Sequence, residues 1–188
     1  MGDDAQGGGV MDRVVKLAKP SYLWGPLTPL GLGTALTAVA IDQAVKLWLL
    51  FVFDIAARQR VAVTPFLDLV LVWNRGISYG LFQQEGPVGQ WILLTLKLAA
   101  VVLLWLWLAR AGWRLTAVSL GLIIGGAVGN AIDRLAYGAV ADFVLLHLTT
   151  ATWSFNWYVF NIADVAIVAG VAGLLYDSVA GGRAAKAP

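Results

Sequence analysis

The sequence predicts a membrane all-α protein with a small β element, in which four transmembrane helices carry a surface β-sheet between helices 1 and 2. Three observations predict this class. The chain of 188 residues is 60% hydrophobic and only 13% charged, whereas a soluble domain is typically about 25% charged. Its nine tryptophans suit a membrane–water interface. Its apolar residues fall into four runs of about 20 residues, the length of a spanning helix.

The predicted spans are residues 27–53, 88–109, 115–132 and 157–176. They form a single four-helix membrane domain, residues 20–178, between a polar N-terminal tail, residues 1–19, and a C-terminal tail, residues 179–188. The N-terminal tail lacks the apolar segment of a cleavable signal peptide. Basic residues gather in both tails and in the turn at Arg110 and Arg114. With four spans these segments share one side of the membrane, which predicts that both termini are cytoplasmic.

Two connections are long enough to form surface structure. Residues 61–67 and 69–73 are rich in branched and aromatic side chains, which favour strands. A small sheet is therefore expected over about residues 60–82, with Asn74-Arg75-Gly76 as a turn. Residues 134–156 form a second segment of mixed polarity, expected at the membrane surface.

The residue types present exclude several chemistries. There is no cysteine and only one histidine, His147, so disulfides, thiolate catalysis and Cys-ligated zinc are ruled out. No metal site, cofactor motif or nucleic-acid motif is apparent. His147 itself is expected at a surface or interface rather than in catalysis.

Ionisable residues inside spans are candidates for function, because each costs about 2.5–3.5 kcal/mol at a helix centre. Asp42 and Lys46 are four residues apart on one helix face, in the order that favours an ion pair. Such a pair lowers the cost of insertion, holds a functional site, or does both. Lys97 lies in the middle of the second span with no local partner and is expected to face a polar bundle interior.

The third span carries glycines every four residues on one face, namely Gly121, Gly125 and Gly129. This spacing lets helices approach closely, and the expected role of these glycines is structural. Asn130, Asp133 and Arg134 follow at the helix end. Arg134 can form two hydrogen bonds to a carboxylate, and Asp133 is the nearest one. Asp133 is expected to belong to a structural network rather than to the chemistry.

Two further carboxylates are expected to meet near the start of the fourth span. Asp142 should lie at the outer membrane surface, and Asn161 and Asp164 share a helix face on that side. Two close carboxylates cannot both ionise cheaply, so one keeps a proton. The ionised group can activate a water that attacks a carbonyl, while the protonated group donates to the carbonyl oxygen or leaving amine. These residues therefore predict general acid–base chemistry.

Five motifs, in this order, resemble those of the lipoprotein signal peptidases, also called signal peptidase II. Asp42-Gln43-Ala44-Val45-Lys46 resembles D-Q-x-x-K, and Asn74-Arg75-Gly76-Ile77-Ser78-Tyr79-Gly80 resembles N-x-G-x-[AS]-[FY]-[GS]. Gly125-Gly126-Ala127-Val128-Gly129-Asn130-Ala131-Ile132-Asp133-Arg134 resembles G-G-A-x-G-N-x-x-D-R. Val140-Ala141-Asp142-Phe143 resembles V-x-D-F, and Phe160-Asn161-Ile162-Ala163-Asp164 resembles F-N-x-A-D. The departures are Ser78 and Tyr79, where alanine and phenylalanine are common, and a longer interval between Asp142 and Asp164.

The resemblance implies an aspartic endopeptidase that removes the signal peptide from diacylglyceryl-modified prolipoproteins, cleaving before the lipidated cysteine. It implies Asp142 and Asp164 as the catalytic pair. Roles in binding substrate or shaping the site are implied for Asp42, Lys46, Asn74, Gly76, Asn130, Arg134 and Asn161. Structural support is expected from Asp133, Gly125, Gly126 and Gly129.

The same resemblance implies a β-cradle between helices 1 and 2 and inhibition by the cyclic peptide globomycin. It places the protein in a bacterial cytoplasmic (inner) membrane, with the site near the outer, periplasmic face. Membrane lipids are expected partners, no metal or cofactor is expected, and a monomer is expected.

Two other classes of function stay open from the residues alone. A channel or proton-coupled carrier would use the intramembrane carboxylates and Lys97 as a path, but the polar residues gather at one interface and no inverted repeat is apparent. A non-enzymatic assembly factor would use the glycine face for docking. The assembly factor would tolerate Asp142→Asn and Asp164→Asn, whereas a peptidase would not.

Overall fold

The computed structural model describes residues 22–76 and 87–184, and within its helices the side chains of residues 87–94, 97 and 180–184 are not described. In this part of the chain it has four long helices and a four-stranded antiparallel sheet, which confirms the mainly helical fold with a small β element. The side chain of Lys97 and the predicted sheet residues 77–82 lie outside the described part.

The long helices follow the four apolar runs. Helix α1, Thr28–Leu47, continues as a π-helical turn, Trp48–Val52, and a short helix α2, Ile55–Arg58, follows it. The other long helices are α3, Pro87–Leu108, α4, Arg114–Tyr137, and α5, Ile162–Ala184. Among the described residues, three helices are long and apolar enough to cross a membrane, namely Thr28–Val52, Arg114–Tyr137 and Ile162–Val179. Within the described side chains of α3, the apolar stretch is Leu98–Leu108, which is shorter than a membrane span. The presence of four spans therefore stays a prediction.

Helix α4 lies at the centre and packs against α1, α3 and α5. Its glycines allow the close approach, because a Cβ on Gly125 would come within 2.6 Å of the carbonyl oxygen of Ala35 on α1. A Cβ on Gly126 would clash with the carbonyl oxygen of Ala163 on α5. Between α1, α3 and α4 lies a small apolar core that contains Ala35, Leu108, Ala117, Leu120 and Ile124.

The ends of α4 and α5 differ from the predicted spans for local reasons. Helix α4 continues past residue 132 to Tyr137 and stops at Gly138, whose φ of 73° is left-handed and whose N–H donates to the carbonyl of Arg134 at 3.0 Å. Glycine is the usual residue at this capping position. Helix α5 begins at Ile162 rather than at Trp157, because the N–H of Trp157 donates to the carbonyl of Leu146 at 2.8 Å, in a neighbouring strand.

The sheet contains both surface segments. Its order is β1, Arg60–Thr64, then β2, Leu67–Asn74, β3, Val140–Thr149, and β4, Ser154–Asn156. The expected sheet over residues 60–82 is thus β1 paired with β2, and the segment 134–156, expected only to lie at the surface, contributes the other two strands. One face packs on the π-helical turn that follows α1 and on α2, through Leu49, Ile55, Ala141 and Phe143. The start of β3 is thereby held beside the ends of α1, α4 and α5.

Candidate active site

Asp142 lies near the start of β3 with its side chain buried. The register pairs Val72 with Asp142 and Asn74 with Val140, which places Asn74 and Asp142 on the same face of the sheet. Asn74 Nδ2 donates to Asp142 Oδ2 at 3.1 Å, and Asn161 Nδ2 donates to Asp142 Oδ1 at 2.7 Å. Each carboxylate oxygen of Asp142 therefore has an amide donor.

Asp164 lies in the first turn of α5, where it forms a reciprocal cap with Asn161. The Asp164 N–H donates to Asn161 Oδ1 at 3.0 Å, and the Asn161 N–H donates to Asp164 Oδ2 at 3.2 Å. This is the capping-box arrangement, in which two side chains satisfy the free N–H groups of a helix start. The other oxygen, Asp164 Oδ1, accepts a hydrogen bond from Asn130 Nδ2 at 3.0 Å. Because Asn161 bonds to both Asp142 and Asp164, it joins the two carboxylates in one site.

A buried ion cluster lies next to these carboxylates. Lys46 Nζ is 2.9 Å from Asp42 Oδ2 and 2.7 Å from Asp133 Oδ2, and all three side chains are at most 3% exposed. Lys46 also donates to Asn130 Oδ1 at 3.2 Å, and Asn130 Oδ1 accepts a second hydrogen bond from Asn161 at 3.0 Å. The amides of Asn130 and Asn161 thus connect the ion cluster to the site.

The two aspartates of the ion cluster also hold the backbone of the site. Asp133 Oδ2 accepts the N–H of Ala141 at 3.1 Å, and Asp42 Oδ1 accepts the N–H of Ala163 at 2.9 Å. Ala141 and Ala163 immediately precede Asp142 and Asp164. The ion cluster therefore anchors the two backbone segments that carry the paired carboxylates.

Arg134 does not bind Asp133, the carboxylate expected from the sequence, in the described part of the chain. Its guanidinium donates to the carbonyls of Asn130 and Gly76, both at 3.2 Å, while Asp133 binds Lys46. The N–H of Gly76 donates to Asn74 Oδ1 at 3.1 Å, closing a turn after β2. Arg134 therefore connects α4 to this turn, and its positive charge also acts on Asp142 and Asp164.

The electrostatic environment of Asp142 favours its protonated form. Burial raises the pKa of Asp142 from 3.8 to about 6, and the negative charge of Asp164 acts in the same direction. The hydrogen bonds from Asn74 and Asn161 oppose this rise, because they stabilise the carboxylate. A carboxyl group with this pKa can exchange a proton close to neutral pH.

Gln43 is a polar residue of this region that was absent from the predicted site residues. Its Nε2 donates to Asp133 Oδ1 at 3.0 Å and to the carbonyl of Gly129 at 3.1 Å. The only available signal was its place beside Asp42 in the first motif. Gly129, a predicted supporting residue, leaves room for Asp42, because a Cβ there would lie 2.6 Å from Asp42 Oδ2.

His147 lies apart from the paired carboxylates, on the opposite face of β3 from Asp142. Its Nε2 is 3.2 Å from Asp68 Oδ2, and Arg60 also pairs with Asp68. These contacts join β1, β2 and β3 and place His147 in the sheet rather than beside Asp142 and Asp164.

The fold and site define a helical membrane protein with two carboxylates that share amide partners where the helices meet the sheet. Comparison with known proteins agrees with this class. Residues 34–180 match the family model described as Signal peptidase (SPase) II. The chain therefore belongs to the signal peptidase II family, a family of peptidases, and it is a multi-pass protein of the inner membrane.

The alignments with curated relatives extend over most of the chain. The chain is 63% identical over 164 residues to the lipoprotein signal peptidase of Nitrobacter hamburgensis, covering 86% of this chain and 100% of the relative. It is 59% identical over 164 residues to that of Rhodopseudomonas palustris, with the same shares covered. It is also 60% identical over 149 residues to that of Methylorubrum extorquens, covering 79% of this chain and 85% of the relative.

Two solved structures of bacterial membrane enzymes have the same fold. One superimposes with a TM-score of 0.64 at 24% identity, covering 85% of this chain and 92% of the other. The second has a TM-score of 0.55 at 24% identity and covers 78% and 90%. At this identity the similarity supports the architecture of helices and sheet.

Proposed function

We propose that this protein is a membrane-embedded aspartic endopeptidase that removes the signal peptide from diacylglyceryl-modified prolipoproteins. It cleaves the peptide bond before the lipidated cysteine with a water molecule activated by Asp142 and Asp164. The observation that carries the proposal is the bridging of both carboxylates by Asn161, which donates to Asp142 at 2.7 Å and to Asp164 at 3.2 Å. The names of the relatives supply the substrate class.

The environments of the two carboxylates support different roles. Asp164 stands in the first turn of α5, where the helix dipole favours negative charge, and it accepts two hydrogen bonds, from Asn161 and Asn130. Asp142 is buried and has a pKa of about 6. We assign Asp164 as the base that takes a proton from water and Asp142 as the acid that carries the shared proton.

In the reaction, Asp164 accepts a proton as the water oxygen bonds to the scissile carbonyl carbon, and Asp142 donates its proton to the carbonyl oxygen. The tetrahedral intermediate then collapses: Asp142 takes back a hydroxyl proton as the carbonyl re-forms, the C–N bond breaks, and the amine leaves with a proton from Asp164. Both carboxyl groups end in their starting protonation states. Because the two carboxyl groups supply and accept every proton and water is the nucleophile, these steps require neither a metal nor a covalent intermediate.

The placement of the dyad suits a substrate held in the membrane. Asp164 is the third residue of a candidate spanning helix, Ile162–Val179, so the dyad lies near the membrane surface. A lipidated cysteine keeps its neighbouring peptide bond at the same depth. We further propose that α3 is the remaining span, that both termini are cytoplasmic and that the site faces the periplasm. We also propose that the protein is a monomer and that globomycin inhibits it.

The carrier alternative would need ionisable groups distributed along a route through the bilayer. Among the described side chains, Asp42, Lys46, Asp133 and Asp164 converge at one end of the bundle, where Lys46 pairs with both Asp42 and Asp133. This arrangement supports a reaction centre at one surface better than a translocation path.

The test is cleavage of a purified diacylglyceryl prolipoprotein, followed as a mobility shift on a gel. We expect the native protein to cleave it and Asp142→Asn and Asp164→Asn to be inactive. Two matched controls carry the same substitution elsewhere. Asp68→Asn changes the same sheet as Asp142, and Asp177→Asn changes the same helix as Asp164, and both should stay active.

Each variant must also keep the melting temperature expected of a folded protein, measured in detergent. Full activity in a folded Asp142→Asn or Asp164→Asn variant would refute the dyad. Absence of cleavage by well-folded native protein would refute the proposal that this protein cleaves diacylglyceryl-modified prolipoproteins. Loss of activity in both controls would show that the assay reports general damage rather than chemistry.

A further inference from the structure

The hairpin of β3 and β4 exposes a row of aromatic rings. Trp153 stacks on Phe155, Phe155 meets Trp157, and Trp157 meets Tyr158, with ring centroids 5.8, 5.9 and 5.3 Å apart. Trp153 is nevertheless 53% exposed and Trp157 44% exposed. A series of large apolar side chains that stay this exposed although they contact one another is unusual on a surface that faces water.

The same face of the hairpin is apolar beyond the rings. An open cavity of about 290 Å³ lies beneath Phe155 and Trp157, and apart from His147 its lining is apolar: Phe66, Leu146 and Leu148. The strand register pairs Leu148 with Phe155, and residues two apart share a face. Leu148, Leu146 and Asp142 are therefore on one side of β3, so the apolar face is continuous with the side that carries Asp142.

The composition of the hairpin segment favours contact with lipid over contact with a charged protein partner. Residues 143–163 contain no Asp, Glu, Lys or Arg. A protein partner recognised through charge would find no counterpart there. Tryptophan and tyrosine, in contrast, are the side chains that accumulate where the headgroups of a bilayer meet its acyl chains.

The path of the chain places this face at the membrane. Phe160 pairs with Val144 of β3, and α5, a candidate spanning helix, begins two residues later at Ile162. Trp157 is thus five residues from the span, within about 17 Å even for a fully extended chain. The hairpin cannot leave the region of the membrane surface.

We propose that the aromatic face of the β3–β4 hairpin, formed by Trp153, Phe155 and Trp157 with Leu146 and Leu148, lies in the lipid headgroup and upper acyl region of the bilayer. The lipid covers the apolar side chains and holds the sheet, and with it the Asp142 side of the site, against the membrane. This inference rests on the membrane location and is independent of the cleavage chemistry.

The test uses spin labels, because a chain without cysteine accepts a single engineered one. Phe155→Cys places the label on the aromatic face, and Asn156→Cys places it on the opposite face of the same strand. Val168→Cys, on an exposed part of α5, gives the lipid reference. The labelled proteins are reconstituted in nanodiscs of phosphatidylethanolamine and phosphatidylglycerol, and collision with oxygen is compared with collision with a water-soluble nickel complex.

We expect the oxygen-to-nickel collision ratio to be several-fold higher at position 155 than at position 156, and close to that at position 168. Equal, water-like ratios at 155 and 156 would overturn the proposal. Shielding that develops only when a diacylglyceryl prolipoprotein is added would assign the face to substrate instead. Dipolar broadening between labels would assign it to a second copy of the chain.

Misfolding is checked separately by the melting temperature of each labelled protein. If Phe155→Cys is unstable, Trp153→Cys tests the same face. The cleavage assay on the labelled variants reports the catalytic proposal, so a failure of one idea is distinguishable from a failure of the other.

Discussion

Asp142 accepts a hydrogen bond on each carboxylate oxygen, and removal of one of these bonds tests its proposed role as the acid. Its pKa of about 6 means that the free enzyme loses the shared proton as the pH rises through 6. The value of kcat/KM reports the free enzyme. It should therefore fall above pH 6, to about one hundredth of its plateau at pH 8.

The perturbation is Asn74→Ala, which deletes the donor 3.1 Å from Asp142 Oδ2. A hydrogen bond to a charged group contributes about 1.5–3 kcal/mol, and water that enters the space left by the amide replaces part of it. A remaining loss of about 1.4 kcal/mol corresponds to one pH unit. Because this bond stabilises the ionised carboxylate, its loss raises the pKa of Asp142, and the alkaline limb should move from about pH 6 to about pH 7.

The assay is the initial rate of prolipoprotein cleavage at low substrate concentration, measured from pH 4.5 to 9 in detergent. The absolute rate of Asn74→Ala is also expected to fall, since Asn74 Oδ1 binds the N–H of Gly76, but the position of the limb does not depend on the absolute rate. Asn156→Ala removes an exposed amide elsewhere in the sheet and should leave the limb unchanged. A limb that stays in place in Asn74→Ala, or a native profile that is flat between pH 5 and 8, would refute the assignment of Asp142 as the acid.

Two other predictions concern stability. The folded pKa of Asp142, about 6, exceeds the ordinary value of 3.8, so its contribution to stability is fully present below about pH 4 and is lost as the pH rises through 6. Between pH 4 and 8 the native protein should therefore lose about 3 kcal/mol of unfolding free energy relative to Asp142→Asn, and denaturant titrations with parallel pH dependence would contradict this. In Gly129→Ala the new Cβ would lie 2.6 Å from Asp42 Oδ2 and push that carboxylate away from Lys46, which should cost about 2–4 kcal/mol. The control Gly33→Ala, whose Cβ would meet nothing within 4 Å, should instead gain about 0.5–1 kcal/mol, so equal melting temperatures for the two variants would exclude the packing argument.

The helices could be read from the sequence because their signal is local. A run of about 20 apolar residues needs no partner to be recognised, and the predicted first span, 27–53, is close to the helical segment Thr28–Val52. The pairing of β1 with β2 was also accessible, since a short turn joins two β-prone runs. The five motifs contain the polar side chains that surround Asp142 and Asp164, including Gln43, which stands in the first motif but was not among the predicted site residues.

The remaining features depend on contacts that are distant in sequence. Strand β3 pairs Asp142 with Val72, and no local pattern in residues 140–149 reveals which strand they join. The partner of Asp133 was missed for a related reason. Adjacent residues on a helix point in different directions, so Arg134 cannot easily reach Asp133, whereas Lys46 approaches it from another helix. The N–H groups of Ala141 and Ala163 were missed because a backbone donor has no signal in residue type.

Burying the charges of the ion cluster costs free energy, and the hydrogen bonds of its two aspartates explain why apolar side chains could not simply replace them. Replacing a buried ion pair by apolar side chains is often neutral or stabilising, and in a membrane such a replacement would also ease insertion. Here, however, the second oxygens of Asp42 and Asp133 accept the N–H groups of Ala163 and Ala141. Apolar substitutes would leave both donors buried and unpaired, at about 1–3 kcal/mol each.

Apolar replacements would release the N–H groups of Ala141 and Ala163, and the position of these groups shows which part of the site would lose its support. Each belongs to the residue just before one of the paired carboxylates, on elements that belong to different parts of the fold, β3 and α5. One ammonium group, Lys46, bridges both aspartates within 2.9 Å and so couples the strand to the helix. The buried charges therefore connect, through one lysine and two aspartates, the two backbone segments that carry Asp142 and Asp164.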